Sequence, residues 1–165
     1  MRLETERLVL RPVCADDLDG YRALGIRVEA ARSEVEYAAA HWAEHGFGPW
    51  AILEHGSERL AGVLEVHLAG EGIGGIAPDE VEIGWTVAPG RRRLGIATEA
   101  AHAAVADAFE RVHAPHLVAY IRPGNAASRR IAAALGMRDD AEGTTRSGEP
   151  MRTFRLPRPT TIDPA

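Results

Sequence analysis

The chain has 165 residues, 45% of them hydrophobic, which suffices for one domain with a buried core, and it has no apolar run of the roughly 18 residues that a membrane span needs. Its formal net charge of −5 disfavours a nucleic-acid binder, because such proteins usually carry a basic domain. The first segment lacks the apolar core of a signal peptide, and a single cysteine, Cys14, excludes an intramolecular disulfide, so we expect a cytoplasmic protein without a membrane partner.

The first third of the sequence predicts one strand followed by two helices. Residues 7–13 (RLVLRPV) alternate in the manner of a strand. Asp16 or Asp17 can cap a short helix, because a carboxylate accepts hydrogen bonds from the free N–H groups of a first turn. Ser33 can cap a second helix over residues 34–44, which the following GFGP ends.

The middle of the sequence predicts three strands. Residues 50–54 and 60–68 flank the turn-forming HGSER, which is typical of a hairpin. Residues 69–79 are rich in glycine and predict a loop. Residues 81–87 (VEIGWTV) alternate between an apolar face and a polar face that carries Glu82, which predicts the fourth strand.

The last part of the sequence alternates helices and strands. A helix is predicted from Gly95 to about Val112, a buried fifth strand over residues 117–121 and another helix over residues 126–135. One or two strands follow, including residues 151–156. Because hairpins and crossovers are mixed, the order of elements predicts a mixed α/β (α+β) sheet whose first part is antiparallel.

Three adjacent arginines, Arg91 to Arg93, stand between the fourth strand and the helix that starts near Gly95. A first helical turn has N–H groups without internal partners and the positive end of the helix dipole, which together attract phosphate. Gly95 lets an anion approach the backbone, because it has no Cβ. Arginines oppose the dipole here unless an anion is bound, so the pattern indicates an anion site, with a basic surface loop as the alternative.

Two other phosphate-binding motifs do not fit this sequence. A P-loop requires a lysine, and all of the basic residues are arginines. A dinucleotide fingerprint requires a helix directly after its glycines, whereas Gly72 to Gly75 lie in a predicted loop.

Several segments, in the right order along the chain, resemble the GNAT superfamily of N-acetyltransferases. RRLGIA (Arg92 to Ala97) matches the acyl-CoA pyrophosphate motif [QR]-x-x-G-x-[GA], and NAASRRIAAALGM (Asn125 to Met137) resembles the segment N-x-x-S…L-G-[FM]. TERLVLRP, GFGPWAI and VEIGW are similar to the RimJ/RimL branch, the ribosomal-protein-alanine N-acetyltransferases. The resemblance covers about residues 3–156.

The resemblance implies a single-domain GNAT fold over residues 1–156, with residues 157–165 as a flexible tail. About four helices would flank a mixed, mostly antiparallel sheet whose fourth and fifth strands splay apart. Acetyl-CoA would lie in this wedge. The implied cofactor-binding residues are Trp85, Thr86 and Val87 for pantetheine, Arg92, Arg93, Leu94, Gly95, Ile96 and Ala97 for the pyrophosphate, Asn125 at the mouth, and Arg129, with Arg91 and Arg93, for the 3′-phosphate.

The implied reaction is direct attack of an amine on the thioester, with the Val87 N–H stabilising the oxyanion. Glu82 is the first candidate for the general base that deprotonates the amine, and a solvated strand glutamate is the alternative interpretation. Glu65 and His67 on the third strand are weaker candidates for the base.

The leaving thiolate needs a proton donor. Many family members place a tyrosine seven residues after the asparagine, but Ala132 stands at that position. Ser128 is the first candidate, with Tyr120 second. A helix-capping hydroxyl is the alternative role for Ser128.

Further expectations concern alternative functions, metal binding, the acceptor and the oligomeric state. The missing tyrosine leaves open a catalytically weak acyl-CoA sensor, and the arginine runs leave open a nucleic-acid-associated protein, which the net charge disfavours. The histidine pairs His41/His45 and His113/His116 lack a metal-site motif, so no metal is expected. The acceptor is expected to be a peptide N-terminus or a small amine, bound by residues 27–48 and 69–80, and a homodimer is possible.

Overall fold

The computed structural model describes residues 1–71, 74–145 and 147–159. Eight strands, four helices and two short 3₁₀ turns, Ala15–Asp17 and Pro89–Arg91, follow one another along the chain. The strands are β1 (Leu3–Glu4), β2 (Leu8–Pro12), β3 (Trp50–Glu54), β4 (Leu60–Leu68), β5 (Val81–Val87), β6 (His116–Ile121), β7 (Arg138–Thr144) and β8 (Pro150–Pro157). The helices are α1 (Leu18–Ala23), α2 (Val28–His45), α3 (Ile96–Glu110) and α4 (Ala126–Ala134).

All strands belong to one sheet with the order β1-β2-β3-β4-β5-β6-β8-β7. Every neighbouring pair is antiparallel except β5 and β6, which run parallel. The parallel pairing is limited to Val81 with Leu117 and Glu82 with Val118, whereas β5 pairs with β4 along its whole length. The predicted mixed, mostly antiparallel sheet with a splayed central pair is therefore confirmed.

Helices cover both faces of the sheet. Ile52, Leu64 and Ile83 point toward α3, whose alanine face is buried against them, and this side holds the larger core cluster. Ala51 and Val63, one residue along in their strands, point to the opposite face and pack with α1 and α2. The alternation of side chains along a strand thus divides the core into two layers.

One predicted helix start, at Ser33, is wrong, whereas α1 does begin directly after the predicted Asp17, although without the predicted side-chain bond. Helix α2 begins at Val28, so Ser33 lies inside the helix, where its hydroxyl donates to the carbonyl of Glu29. The side chain of Asp17 does not cap α1 but accepts a hydrogen bond from the Cys14 N–H and pairs with Arg11. A serine can bond to a carbonyl one turn back, so its presence does not by itself mark a helix start.

The C-terminal part contains two strands, β7 and β8. Pro157, the first residue of the predicted tail, still pairs with His116, and residues 160–165 of that tail lie outside the described residues. Residues 27–48, predicted to be an acceptor loop, are mostly the helix α2. No helix in the described part of the chain is both long enough and apolar enough to cross a membrane.

Candidate active site

A cavity of about 680 Å³ lies where β5 meets the N-termini of α3 and α4. It is lined by all of the predicted cofactor-binding residues except Leu94 and Arg129, namely by Trp85, Thr86, Val87, Arg92, Arg93, Gly95, Ile96, Ala97 and Asn125. The sheet pairing of β5 and β6 stops at Glu82, so the end of β5 that lines this cavity, Trp85 to Val87, is not paired with β6.

The turn before α3 has an unusual backbone. Gly95 is the N-cap of α3 with φ 80°, and Arg93 also has a left-handed φ of 64°, which is uncommon for a residue with a side chain. The N-cap provides no side-chain hydrogen bond to the first turn, whose N–H groups remain available to an anion. Left-handed residues of this kind form anion-binding concavities, so the turn fits a pyrophosphate.

Arg7, which directly precedes β2, holds this turn with its side chain. Its guanidinium donates to the carbonyl of Leu94 at 3.0 Å and to the carboxylate of Glu99 at 2.7 Å. The hydroxyl of Thr5 also donates to Glu99, at 2.6 Å. Sequence reasoning missed this clamp, because the partners are about 90 positions apart and no local pattern links them.

The arginines differ in what they contact. Arg91 pairs with Glu54 at 2.7 Å, and Arg92 donates to the carbonyl of Val87 at 3.3 Å. Arg129 lies 3.9 Å from Asp139 and is not in the wall of the cavity, where Arg130 stands instead. One residue along a helix turns the side chain by about 100°, so the sequence alone did not decide between these neighbours.

Leu94 is the second predicted residue that does not line the cavity. Its side chain is 51% exposed, and its carbonyl is engaged by Arg7. The contribution of Leu94 is therefore to the shape of the turn.

The side chain of Trp85 bridges the splay to Ser128 on α4. The indole N–H donates to the Ser128 hydroxyl oxygen at 3.2 Å. An indole can only donate, so the serine hydroxyl accepts here and its own hydrogen can be donated elsewhere. Asn125 caps α4 by accepting from the Ser128 N–H at 3.1 Å, so the alternative role of Ser128 as the capping hydroxyl is wrong.

A second cavity, of about 360 Å³, lies on the α2 side of the splay. It shares Trp85, Thr86, Asn125 and Ser128 with the first cavity, so the two adjoin through the gap between β5 and β6. Its polar lining includes Glu65, Glu82, Tyr120 and Arg122. The predicted catalytic residues Glu82 and Ser128 thus lie in the walls of one cavity.

Glu82 is buried, with only 4% of its surface exposed, so its interpretation as a solvated strand glutamate is wrong. Burial, followed by the nearby charge of Glu65, raises the pKa of Glu82 to about 8, and a hydrogen bond with Tyr120 partly offsets these effects. Burial also raises the pKa of Tyr120 to about 12, so its hydroxyl is protonated at neutral pH. A carboxylate with a pKa near neutrality is suited to general-base catalysis.

Two histidines, His41 on α2 and His67 on β4, lie on the same side of the sheet as Glu82. His41 Nδ1 lies 2.7 Å from the Phe47 carbonyl and its Nε2 accepts from the Leu68 N–H at 3.1 Å, an arrangement that requires a neutral ring. Burial lowers the pKa of His41, in agreement with this pattern. Burial also lowers the pKa of His67, whose Nδ1 lies 2.8 Å from the Leu68 carbonyl.

Two adjoining cavities thus lie at the splayed edge of β5, and one of them contains the uncapped N-terminus of α3, which suits an anionic ligand. The sequence profile of the acetyltransferase (GNAT) domain matches residues 7–138, so the chain belongs to this family. Membership implies acetyl transfer from acetyl-CoA, which the family generally uses. The turn at Arg93 to Gly95, the free first turn of α3 and the lining arginines fit that cofactor.

Solved structures agree with this assignment. A GNAT-family acetyltransferase from Bordetella pertussis is 22% identical with a TM-score of 0.82, over 94% of this chain and 99% of that chain. An acetyltransferase from Agrobacterium tumefaciens is 27% identical with a TM-score of 0.78, over 94% of each chain. The ribosomal-protein-S5-alanine acetyltransferase from Vibrio fischeri is 12% identical with a TM-score of 0.75, over 99% of this chain and 100% of that chain.

Proposed function

We propose that this protein transfers the acetyl group of acetyl-CoA to an amine by direct attack on the thioester. The observation that carries the proposal is the position of Glu82, a buried carboxylate in a cavity that adjoins the cofactor cavity through Trp85, Thr86, Asn125 and Ser128. The acceptor is a protein N-terminus, as the resemblance to the RimJ/RimL branch implies, or a small amine; the name of the Vibrio fischeri protein gives a protein acceptor, an alanine of ribosomal protein S5, for that protein.

The cofactor would be held by backbone groups at both ends. The N–H groups of residues 93–97 face the phosphates, as the uncapped N-terminus of α3 supports. Directly after β5, the Ala88 N–H donates to the carbonyl of Ala61 in β4, and N–H groups alternate in direction along an extended chain. The N–H of Val87 therefore points to the splayed edge, where it can pair with an extended ligand and stabilise an oxyanion.

Two side chains would move the protons. Glu82 accepts the proton of the attacking amine, which contributes about 10²–10⁴-fold to the rate. Ser128, whose oxygen accepts from Trp85, donates its hydrogen to the leaving sulfur and takes a proton back from water, while Glu82 releases its proton to solvent. Arg92, Arg93 and Arg130 balance the negative charge of the phosphates at the other end of the cavity.

The test is release of free thiol from acetyl-CoA in the presence of N-terminal peptides, polyamines and aminoglycosides. We expect release with at least one acceptor, and strong loss of it in Glu82→Gln with cofactor affinity retained. Cofactor binding without release for any acceptor would contradict the proposal and favour the second candidate, a weak acyl-CoA sensor.

The second candidate rests on Ala132. This residue is fully buried and stands where the resemblance places the tyrosine that protonates the thiolate in many members. A sensor predicts tight cofactor binding, no turnover and no effect of Ser128→Ala. We also propose that the protein is cytoplasmic, acts without nucleic acid or membrane and can form a homodimer.

A further inference from the structure

Two carboxylates and an imidazole meet across β4 and β5 on the α2 side of the sheet. Glu65, His67 and Glu82 each place one potential ligand atom within 4.8 Å of the other two. The register brings them together, because His67 lies opposite Glu82 and Glu65 lies opposite Gly84. Gly84 makes room for the cluster, since a Cβ there would lie 2.8 Å from a Glu65 carboxylate oxygen.

No arginine pairs with the carboxyl groups of this cluster in the described part of the chain. Elsewhere Glu54, Glu80 and Glu99 each pair with an arginine. Among the described residues, no ion pair involves Glu65 or Glu82, and Arg122 at the cavity wall pairs with Glu149 instead. Because Glu82 is almost fully buried, its charge is costly without a cation nearby.

The imidazole is held in the form that a metal ion requires. His67 Nδ1 lies 2.8 Å from the carbonyl of Leu68, so this nitrogen carries the proton and donates it. The lone pair is then on Nε2, and the neutral ring is oriented by a backbone carbonyl, as is usual for metal-bound histidines. The hydroxyl of Tyr37, 3.4 Å from the same Nδ1, supports the ring from α2.

We propose that Glu65, His67 and Glu82 bind a divalent first-row transition metal ion of the Zn²⁺ type. Carboxylates together with an imidazole suit Zn²⁺ better than Mg²⁺, which prefers oxygen ligands. Bond lengths of about 2.1 Å give ligand atoms about 3.4 Å apart in a tetrahedral site. The present separations of up to 4.8 Å would therefore have to shorten by up to about 1.4 Å on binding.

Metal binding would affect acetyl transfer, and this consequence alone rests on the proposed function. The metal ion would take up the Glu82 oxygen that accepts the proton of the amine. Binding of metal and action of Glu82 as a base are then mutually exclusive, so Zn²⁺ would inhibit the enzyme and a chelator would restore it.

Direct titration of the chelator-treated full chain with Zn²⁺, Co²⁺ and Mg²⁺ tests the site without any acceptor. Calorimetry should show one Zn²⁺ site, and bound Co²⁺ should give visible absorption. We expect the near-isosteric Glu65→Gln and the variant His67→Ala to lose at least about tenfold in Zn²⁺ affinity, because even residues that only orient ligands contribute this much. Mg²⁺ should bind far more weakly.

The matched control is His45→Ala, which removes an exposed histidine of α2 that lies outside the cluster. Its Zn²⁺ affinity should equal that of the wild type. Equal affinity of the wild type, Glu65→Gln and His67→Ala would overturn the inference, as would an equal loss in His45→Ala. Circular dichroism verifies the fold of each variant. Failure of acetyl transfer leaves the titration unaffected, so the two proposals fail separately.

Discussion

Replacing Glu82 with glutamine should abolish the rise of acetyl transfer with pH. Glu82 has a pKa of about 8, so about one tenth of it is ionised at pH 7 and about nine tenths at pH 9. If the ionised form is the base, kcat/KM of the wild type should increase about tenfold over this range. Glu82→Gln keeps the shape of the side chain but cannot accept the proton.

The size of the defect should itself depend on pH. At pH 9 Glu82→Gln should lose about 10²–10⁴-fold in kcat/KM, the usual contribution of a general base. At pH 7 the loss should be about tenfold smaller, because most of the wild-type enzyme is then protonated at Glu82.

The assay is initial-rate thiol release at saturating acetyl-CoA with a chelator present, so that no metal ion occupies Glu82. The acceptor also titrates, so a peptide amine with a pKa of about 8 and an alkylamine with a pKa of about 10.4 are compared. The rise of kcat/KM with pH that reflects ionisation of Glu82 should appear with both acceptors. In Glu65→Gln it should move to lower pH, because the like charge that raises the pKa of Glu82 is removed. A wild-type rate in Glu82→Gln, with an unchanged rise of kcat/KM with pH, would refute the role of Glu82 as the general base.

Three further predictions concern the cofactor turn and stability. Gly95→Ala forces a side chain into a left-handed backbone, so we expect a loss of about 1 kcal/mol in unfolding free energy and weaker CoA binding, measured by denaturation and calorimetry. Arg130→Ala should weaken CoA binding about tenfold, as expected for a charge-assisted contact, whereas Arg129→Ala should not. Equal effects of the two substitutions would contradict the placement of Arg130, and not Arg129, in the cavity wall. The third prediction is that stability falls as pH decreases below about 6.5, because the pKa of His41 is lowered in the folded state and the unfolded state then binds more protons. Urea unfolding at several pH values measures this slope, which should persist in the control His102→Ala and decrease in His41→Gln.

The order of most strands and helices was predictable from hydrophobic periodicity, but β1, β7 and the start of α2 were not. Strand β1 has two residues, which is too short to show a period. In β7 (RDDAEGT) no residue is fully buried, so this edge strand has no apolar alternation to detect. Helix α2 begins after Arg27, whose side chain makes no capping bond, and the sequence signal at Ser33 was therefore misleading.

The candidate site likewise has parts that were predictable from the sequence and parts that were not. The turn at Gly95 was predictable because its residues are adjacent and its backbone requirement is local. The cluster of Glu65, His67 and Glu82 depends on the register of β4 and β5, and a slip of one residue would send one strand's side chains to the other face. The contact between Trp85 and Ser128 joins positions 43 residues apart, so only the folded structure could provide it.

The clamp made by Arg7 connects the cofactor turn to the N-terminal segment of the chain. The Leu94 carbonyl is held by a side chain that precedes it by 87 positions, so we expect the shape of the turn to depend on the docked N-terminal segment. Removing residues 1–7 would deprive Leu94 and Glu99 of these partners while leaving the cavity wall unaltered in sequence. Affinity for CoA is therefore a sensitive measure of whether the first strand is in place during refolding.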